Sequence, residues 1–301
     1  MQRLVYWAAY PLLWLVSKMP FPLFYFFSDC VCFVVYHLVR YRRETVRYNL
    51  NLVFPNKSNK ELQKIERNFY RHMCDMFLEM IKSISISNED LKDRFRYTNA
   101  EEIDRVQKTG KSIIMLYGHY ASYEWSNAIQ LYDIGYEAFG IYKKVKNPFF
   151  DELAHKIRGR FSAKLIPTSK ATSQIAKNER ENIQGMYAFI ADQSPKWNKA
   201  SYWTKFMGIP CPAFVGGEVL AKRLDMAIMY LHVEKIRRGH YEATLKTLAV
   251  EPRLWEDFTI TETFFRELEK QIYAKPEYYL WTHKRWKHKD RQIPEDATTG
   301  F

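Results

Sequence analysis

Two apolar runs dominate the start of the chain. Leu4 to Val16 is almost wholly apolar, and Phe21 to Val39 is interrupted only by Pro22, Ser28, Asp29 and His37. The second run approaches the roughly 17–25 residues needed to cross a hydrocarbon core. Its proline and its acid are compatible with insertion in the plane of a bilayer as well as with a span. Both runs are too long for a cleavable leader, and no small-residue cleavage site follows. They end in Arg40-Tyr41-Arg42-Arg43, a basic flank that places the following chain on the cytoplasmic side. The pattern predicts a hydrophobic membrane anchor over residues 1–43 and a folded domain over 44–301.

Beyond the anchor the periodicity changes. Glu44 to Phe54 reads as a short helix stopped by Pro55. Ser58-x-x-Glu61 matches a capping box and introduces Leu62, Ile65, Phe69, Met73, Met76, Phe77 and Met80, an apolar stripe at helical spacing. From about Tyr97, short apolar strands alternate with amphipathic helices. Strands are expected at Ile113–Tyr117, Tyr136–Ile141, Lys164–Ile166, Met186–Ala191 and Met226–Val233. Helices are expected at Ser122–Tyr132, Pro148–Arg160, Ala171–Asn182 and Gly216–Leu224. The alternation predicts an α/β fold with a mixed, mostly parallel sheet flanked by helices. His240 to Val250 alternates apolar and polar residues and suggests an antiparallel strand at an edge. Thr261–Ala274 reads as the last helix, followed by a frayed tail from Pro294.

In open α/β sheets ligands gather beyond the carboxyl ends of the strands. Gly118-His119 follows the first expected strand and Asp192-Gln193 follows the fourth. His119 and Glu124 form a His-x4-acid pair at a strand end, a spacing suited to a general base with an orienting carboxylate if the histidine lies in the turn. Lys143, Lys144, Lys146, Arg158 and Arg160 supply cations on the loops between, which suggests an anionic substrate such as a phosphate. The chain lacks a Gly-x-Ser-x-Gly elbow, a phosphate-cradling glycine loop and a dinucleotide fingerprint. A His–carboxylate pair without a protein nucleophile fits direct attack by a substrate hydroxyl on an activated acyl group.

Charge narrows the partners. The 301 residues carry a formal charge of +12, and aromatic residues make up 16% of the chain. The surplus of positive charge suits anionic lipid headgroups or an acidic carrier protein, and the aromatics favour a membrane interface over nucleic acid. The four cysteines, at 30, 32, 74 and 211, show no zinc spacing and imply no disulfide framework. Neither a metal nor a cofactor is expected.

The order of motifs resembles the lipid A biosynthesis late acyltransferases, the lauroyl/myristoyl branch of the lysophospholipid acyltransferase superfamily. Arg47-x-Asn49-Leu50-x-Leu52-x-Phe54-Pro55 is similar to that family's Asn-Leu…Phe-Pro segment, and Gly118-His119-x4-Glu124-Trp125 to its catalytic motif. Tyr142…Asn147-Pro148…Asp151, the Arg158–Arg160 pair, Ala191-Asp192-Gln193 and Phe206-Met207-Gly208-Ile209-Pro210 follow in the same order. Pro276-Glu277-x-Tyr279-x-Trp281-x-His283-x-Arg285 resembles its closing element. Two departures stand out: Lys143-Lys144 replaces the family's Arg-Pro, and Asp192-Gln193-Ser194-Pro195 lacks a second acid. The resemblance implies a glycerolipid acyltransferase-like fold and transfer of a fatty acyl chain from acyl carrier protein (or acyl-CoA) to a hydroxyl of a lipid A precursor. It further implies that this occurs in lipopolysaccharide biosynthesis at the cytoplasmic face of the inner membrane. In that scheme His119 is the base, Glu124 orients it, and Arg158, Arg160, Asp192, Lys143 and Lys144 bind substrate. A lipase using the same pair on water and a basic lipid- or nucleic-acid-binding module are the competing readings.

Overall fold

The computed structural model describes residues 2–161 and 163–301. Two helices, α1 (Gln2–Lys18) and α2 (Phe21–Phe33), are separated by a break at Met19-Pro20 and pack side by side on the later helix Asn59–Lys82 rather than on each other, and α2 runs on into one π-helical turn at Val34–Leu38. Phe24 and Ser28 of α2 are buried, whereas Leu23, Phe26, Phe33, Val34 and Leu38 are exposed. The chain then bends through Arg40 and Arg42, both at positive φ (53° and 50°). It continues as α3 (Arg43–Val53) and α4 (Asn59–Lys82). Ser58 caps α4 as its spacing predicted: the Glu61 carboxylate accepts from the Ser58 backbone N–H at 2.8 Å while Ser58 Oγ accepts from Glu61 N–H.

The stripe on α4 is mostly buried, but Phe77 is exposed. Sequence periodicity also missed a polar seam on the same helix. Glu66, His72, Asp75, Glu79 and Lys82 are all buried, and their partners come from distant segments. Ser28 donates to Asp75 at 2.8 Å, and Tyr25 and Tyr241 donate to Glu79 at 2.9 Å each. Arg238, at the tip of a hairpin described below, forks onto Asp75 and onto Asp29 of α2. The N-terminal helix pair is thus fastened to the domain by ion pairs as well as by packing.

The sheet elements follow: α5 (Asn88–Arg94), β1 (Phe95–Tyr97), α6 (Glu101–Gln107), β2 (Ile113–Tyr117), β3 (Glu137–Tyr142), α7 (Pro148–Arg158), β4 (Lys164–Pro167), α8 (Ala171–Arg180) and β5 (Gly185–Ile190). Next come β6 (Tyr202–Phe206), β7 (Ile209–Pro212), α9 (Gly216–Leu224), β8 (Ala227–Arg237), β9 (His240–Ala249), α10 (Thr259–Ala274) and β10 (Thr298–Thr299). The main sheet has seven strands in the order β1-β9-β8-β2-β5-β3-β4. β8, β2, β5, β3 and β4 are parallel, and the β8–β9 hairpin reverses direction. The continuous apolar run of β2 has the cause expected for a central parallel strand: it is flanked by β5 and β8 and buried at every residue.

Three expectations need correction. β9 is antiparallel to β8 but is not an edge, because β1 pairs with it on the outside. At three residues, β1 is too short to leave a periodicity. The segment after His119 is a 3₁₀ helix, Tyr123–Leu131, rather than an α-helix. Its buried Trp125 and Ala128 share an edge at three residues per turn, and Trp125 Nε1 donates to Glu79 O and Ser83 Oγ. The tail is not simply frayed, since Thr298–Thr299 pairs with Tyr202–Trp203 of a small second sheet, β10-β6-β7.

Candidate active site

β2 delivers Gly118-His119 to the carboxyl edge of the sheet. Gly118 lets α10 pack closely: a Cβ there would sit 2.7 Å from Leu268 Cδ1, so a larger residue would have to displace that side chain. The chain then turns sharply, with the Tyr120 N–H on Gly118 O at 2.8 Å and Ala121 held at φ 50°. That conformation is uncommon for a residue with a side chain. The closing segment holds the turn from outside. Ala121 N–H donates to Tyr278 O at 2.9 Å, and Leu280 N–H donates to His119 O at 3.1 Å. The closing segment is itself fixed by buried Asn49 on α3, whose amide donates to Trp281 O (2.8 Å) and His283 O (2.9 Å). The Asn-Leu and Trp-x-His-x-Arg motifs, 232 residues apart in the chain, therefore meet as one scaffold.

Neighbouring strand β5 brings Asp192 to the same edge. Its Oδ1 lies 2.6 Å from His119 Nδ1, and the carboxylate is almost fully buried. Burial opposes its ionisation, but the facing His119 imidazole and the Arg285 guanidinium outweigh it and hold the Asp192 carboxyl below its ordinary range. Arg285 is wholly buried and donates to Ser194 Oγ and Pro212 O at 2.9 Å each. With Nδ1 donating to a carboxylate, the tautomer assigned from this network leaves Nε2 as the acceptor. Gln193 Nε2 lies 3.2 Å from that atom. His283 nearby is pushed down to about 4, chiefly by burial.

Glu124 is elsewhere. Its two oxygens accept from Arg158 Nη2 (2.6 Å) and Nε (2.9 Å) in a bidentate pair. The expectation that Glu124 faces the imidazole is corrected by this geometry: Asp192 occupies that position, and Glu124 holds Arg158. Tyr123 packs edge-on to His119 at a ring separation of 5.0 Å. Beginning a 3₁₀ helix directly after the turn sends Glu124 toward α7 and leaves the space at Nδ1 to the adjacent strand. Burial lowers the basicity of Arg158, but its contact with Glu124 outweighs that and raises it.

The other expected cations are dispersed. Arg160 Nη1 donates to Ser83 O at the end of α4 at 2.8 Å. Lys143 and Lys144 are exposed on the loop after β3, which Asp151 folds by accepting from Val145 N–H at 2.8 Å. Among the described residues no cluster of histidine, cysteine and carboxylates has the composition of a metal site.

The strand-end turn holds a His–Asp pair, the acid buried and the imidazole partly exposed, with one ring nitrogen left to accept a proton, a geometry suited to base assistance. The chain belongs to the bacterial lipid A biosynthesis acyltransferase family, which it matches over residues 1–288, and it is an acyltransferase. It is 21% identical over 294 residues to the lipid A biosynthesis palmitoleoyltransferase of Escherichia coli (strain K12), covering 93% of this chain and 90% of that protein. Identity to the lauroyltransferase of the same strain is 21% over 291 residues, covering 96% and 93%. The myristoyltransferase is 20% identical over 250 residues, covering 80% and 74%.

Proposed function

We propose that this enzyme transfers a fatty acyl chain from acyl carrier protein to a hydroxyl of a lipid A precursor, with His119 as the general base and Asp192 as its orienting partner. The observation that carries the assignment of the base is the 2.6 Å contact between His119 Nδ1 and Asp192 Oδ1. In this reading the acceptor hydroxyl displaces the Gln193 amide from Nε2. His119 takes the hydroxyl proton as the oxygen attacks the thioester carbonyl. The tetrahedral intermediate then collapses, breaking the carbon–sulfur bond, and the imidazolium returns the proton to the departing thiolate. Asp192 holds the tautomer and balances the imidazolium charge.

Glu124 is assigned a different task from the one its spacing suggested. It aligns the Arg158 guanidinium, whose remaining N–H donors would meet a phosphate of the acceptor or of the carrier's prosthetic arm. Lys143 and Lys144, exposed and unneutralised by the loop-folding Asp151 contact, would supply longer-range attraction to the same anion. Arg160, spent on Ser83 O, would act through the end of α4.

The apolar helix pair α1 and α2 is read as an anchor lying in the plane of the inner membrane on its cytoplasmic side. One face of α2 is committed to α4 through Phe24, through Ser28 on Asp75 and through Asp29 on Arg71, while Phe26, Phe33 and Leu38 remain outward. A span would strand the Asp29–Arg238–Asp75 pairing in hydrocarbon. The test is transfer by purified full-length protein from carrier thioesters of several chain lengths to a tetra-acylated precursor. The expected product is one acyl chain heavier, and His119→Ala abolishes it. Hydrolysis without transfer would overturn the acceptor assignment.

A further inference from the structure

An apolar groove of about 300 Å³ lies between the second helix of the N-terminal pair and α4, lined by Val31, Val35, Val39, Tyr41, Met73, Phe77 and other apolar residues. It is not the catalytic cavity. At about 100° per residue, Met73, Cys74, Phe77 and Leu78 occupy one face of α4, whereas His72, Asp75 and Glu79 occupy the face roughly opposite. That second face looks toward the active-site turn. His72 packs edge-on to Tyr278 at 4.9 Å, and Tyr278 O holds the Ala121 N–H.

The groove has a charged mouth. Val39 and Tyr41, both exposed, alternate with Arg40 and Arg42 on the tight bend that their positive φ values create. Arg42 is steadied by donating to Thr282 O at 3.1 Å, and Arg40 lies exposed with its Nε on His37 O at 3.4 Å. The volume corresponds to about ten groups the size of a water or methylene, at roughly 30 Å³ each. Arg40 and Arg42 adjoin the lining residues Val39 and Tyr41 in the chain and are exposed, so a headgroup at that end of the groove lies within reach of long cationic side chains.

We propose that this groove binds one acyl chain of an anionic bilayer phospholipid, with its phosphate at Arg40 and Arg42, as a site separate from the reacting acyl group. The proposal rests on the in-plane reading of the helix pair above. The occupant is an anionic phospholipid because the groove is lined by apolar side chains beside the exposed apolar residues of α2, its end adjoins exposed Arg40 and Arg42, and the nearby acids Asp29 and Asp75 are already paired with Arg71 and Arg238. α4 separates it from His119, so the chain being transferred cannot be its occupant.

The experiment uses full-length protein in mild detergent, titrated with phosphatidylglycerol or phosphatidylcholine and read by native mass spectrometry. Transfer activity and thermal stability are measured on the same samples. One phosphatidylglycerol per chain is expected, retained over phosphatidylcholine. Arg40→Gln should weaken it about fivefold, since one Arg near a charged surface contributes on that scale. Val35→Trp, which fills the groove, should remove it. Val39→Asp, at an exposed position where folding is tolerated, should do the same by repelling both chain and phosphate. Equal retention by wild type and both groove variants, or no preference between the two lipids, would overturn the proposal. Retention without any acyl transfer would instead sink the reading of the reaction and leave the groove assigned.

Discussion

Asp192→Asn is the sharpest test of the dyad. In the wild type the Asp192 carboxylate accepts from His119 Nδ1 at 2.6 Å, within the range of a charge-assisted bond. An asparagine offers either a carbonyl or an amide to that nitrogen. If the amide faces it, Nδ1 must accept and the proton moves to Nε2, where it blocks base action. If the carbonyl faces it, the tautomer survives but the imidazolium loses its balancing charge. Removing the charge from the buried acid of a comparable His–Asp pair lowers turnover about 10⁴-fold, or about 5.5 kcal/mol in the barrier. A fall of about 10³–10⁴ in kcat with little change in KM is therefore expected, followed as product mass against time in the transfer assay. Glu124→Gln should behave differently. It weakens the anchor of a partly buried Arg158, lowering stability by about 1–3 kcal/mol and raising KM more than it lowers kcat. Should Asp192→Asn keep a tenth of wild-type turnover while Glu124→Gln loses a thousandfold at unchanged stability, the dyad would be His119–Glu124 and not His119–Asp192.

Other outcomes follow from the same contacts. Arg238→Gln should cost about 2–4 kcal/mol, because Asp75 is left buried with weaker partners, and hydrogen exchange should show α2 opening before the sheet. Ser58→Ala should cost about 1 kcal/mol through loss of the cap on α4 and leave transfer rates unchanged. His283 titrates at about 4 in the folded protein against roughly 6.5 unfolded. As pH falls between those values the unfolded chain binds the proton first, so stability drops by up to about 3 kcal/mol, and denaturant midpoints of His283→Gln should be flatter there. Asp192, with its lowered folded value, adds stability above its unfolded pKa of about 3.9. That contribution disappears as acidification protonates the folded carboxyl, so Asp192→Asn should lose less stability in strong acid.

Much of the scaffold was legible in the sequence because it depends on local periodicity. The apolar run of Ile113–Tyr117 coincides with β2, the Ser58–Glu61 box caps α4, and His119 falls at the strand end the alternation implied. Elements whose stability comes from distant partners left no such trace. β1 exists because β9 offers it an edge, and although Asn49 belongs to a recognisable motif, its task of holding Trp281 O and His283 O shows only in the fold. The partner of His119 was misjudged for the same reason. Spacing along the chain favoured Glu124, whereas strand order decided in favour of Asp192, since β5 lies beside β2 and its loop emerges at the same height. A pairing between parallel neighbours 73 residues apart cannot be read from one sequence motif.

The hold of the closing segment on the His119 turn has a consequence for the timing of synthesis. The turn carries an unfavourable backbone at Ala121 and is restrained by bonds to Tyr278 and Leu280. Those residues leave the ribosome long after the N-terminal helices, β2 and β5 have emerged. A nascent or truncated polypeptide can therefore contain both His119 and Asp192 and still lack the turn that brings them together. The arrangement is completed late, when the stretch from Tyr278 to Arg285 docks onto Asn49, so unfinished copies lack the organised site.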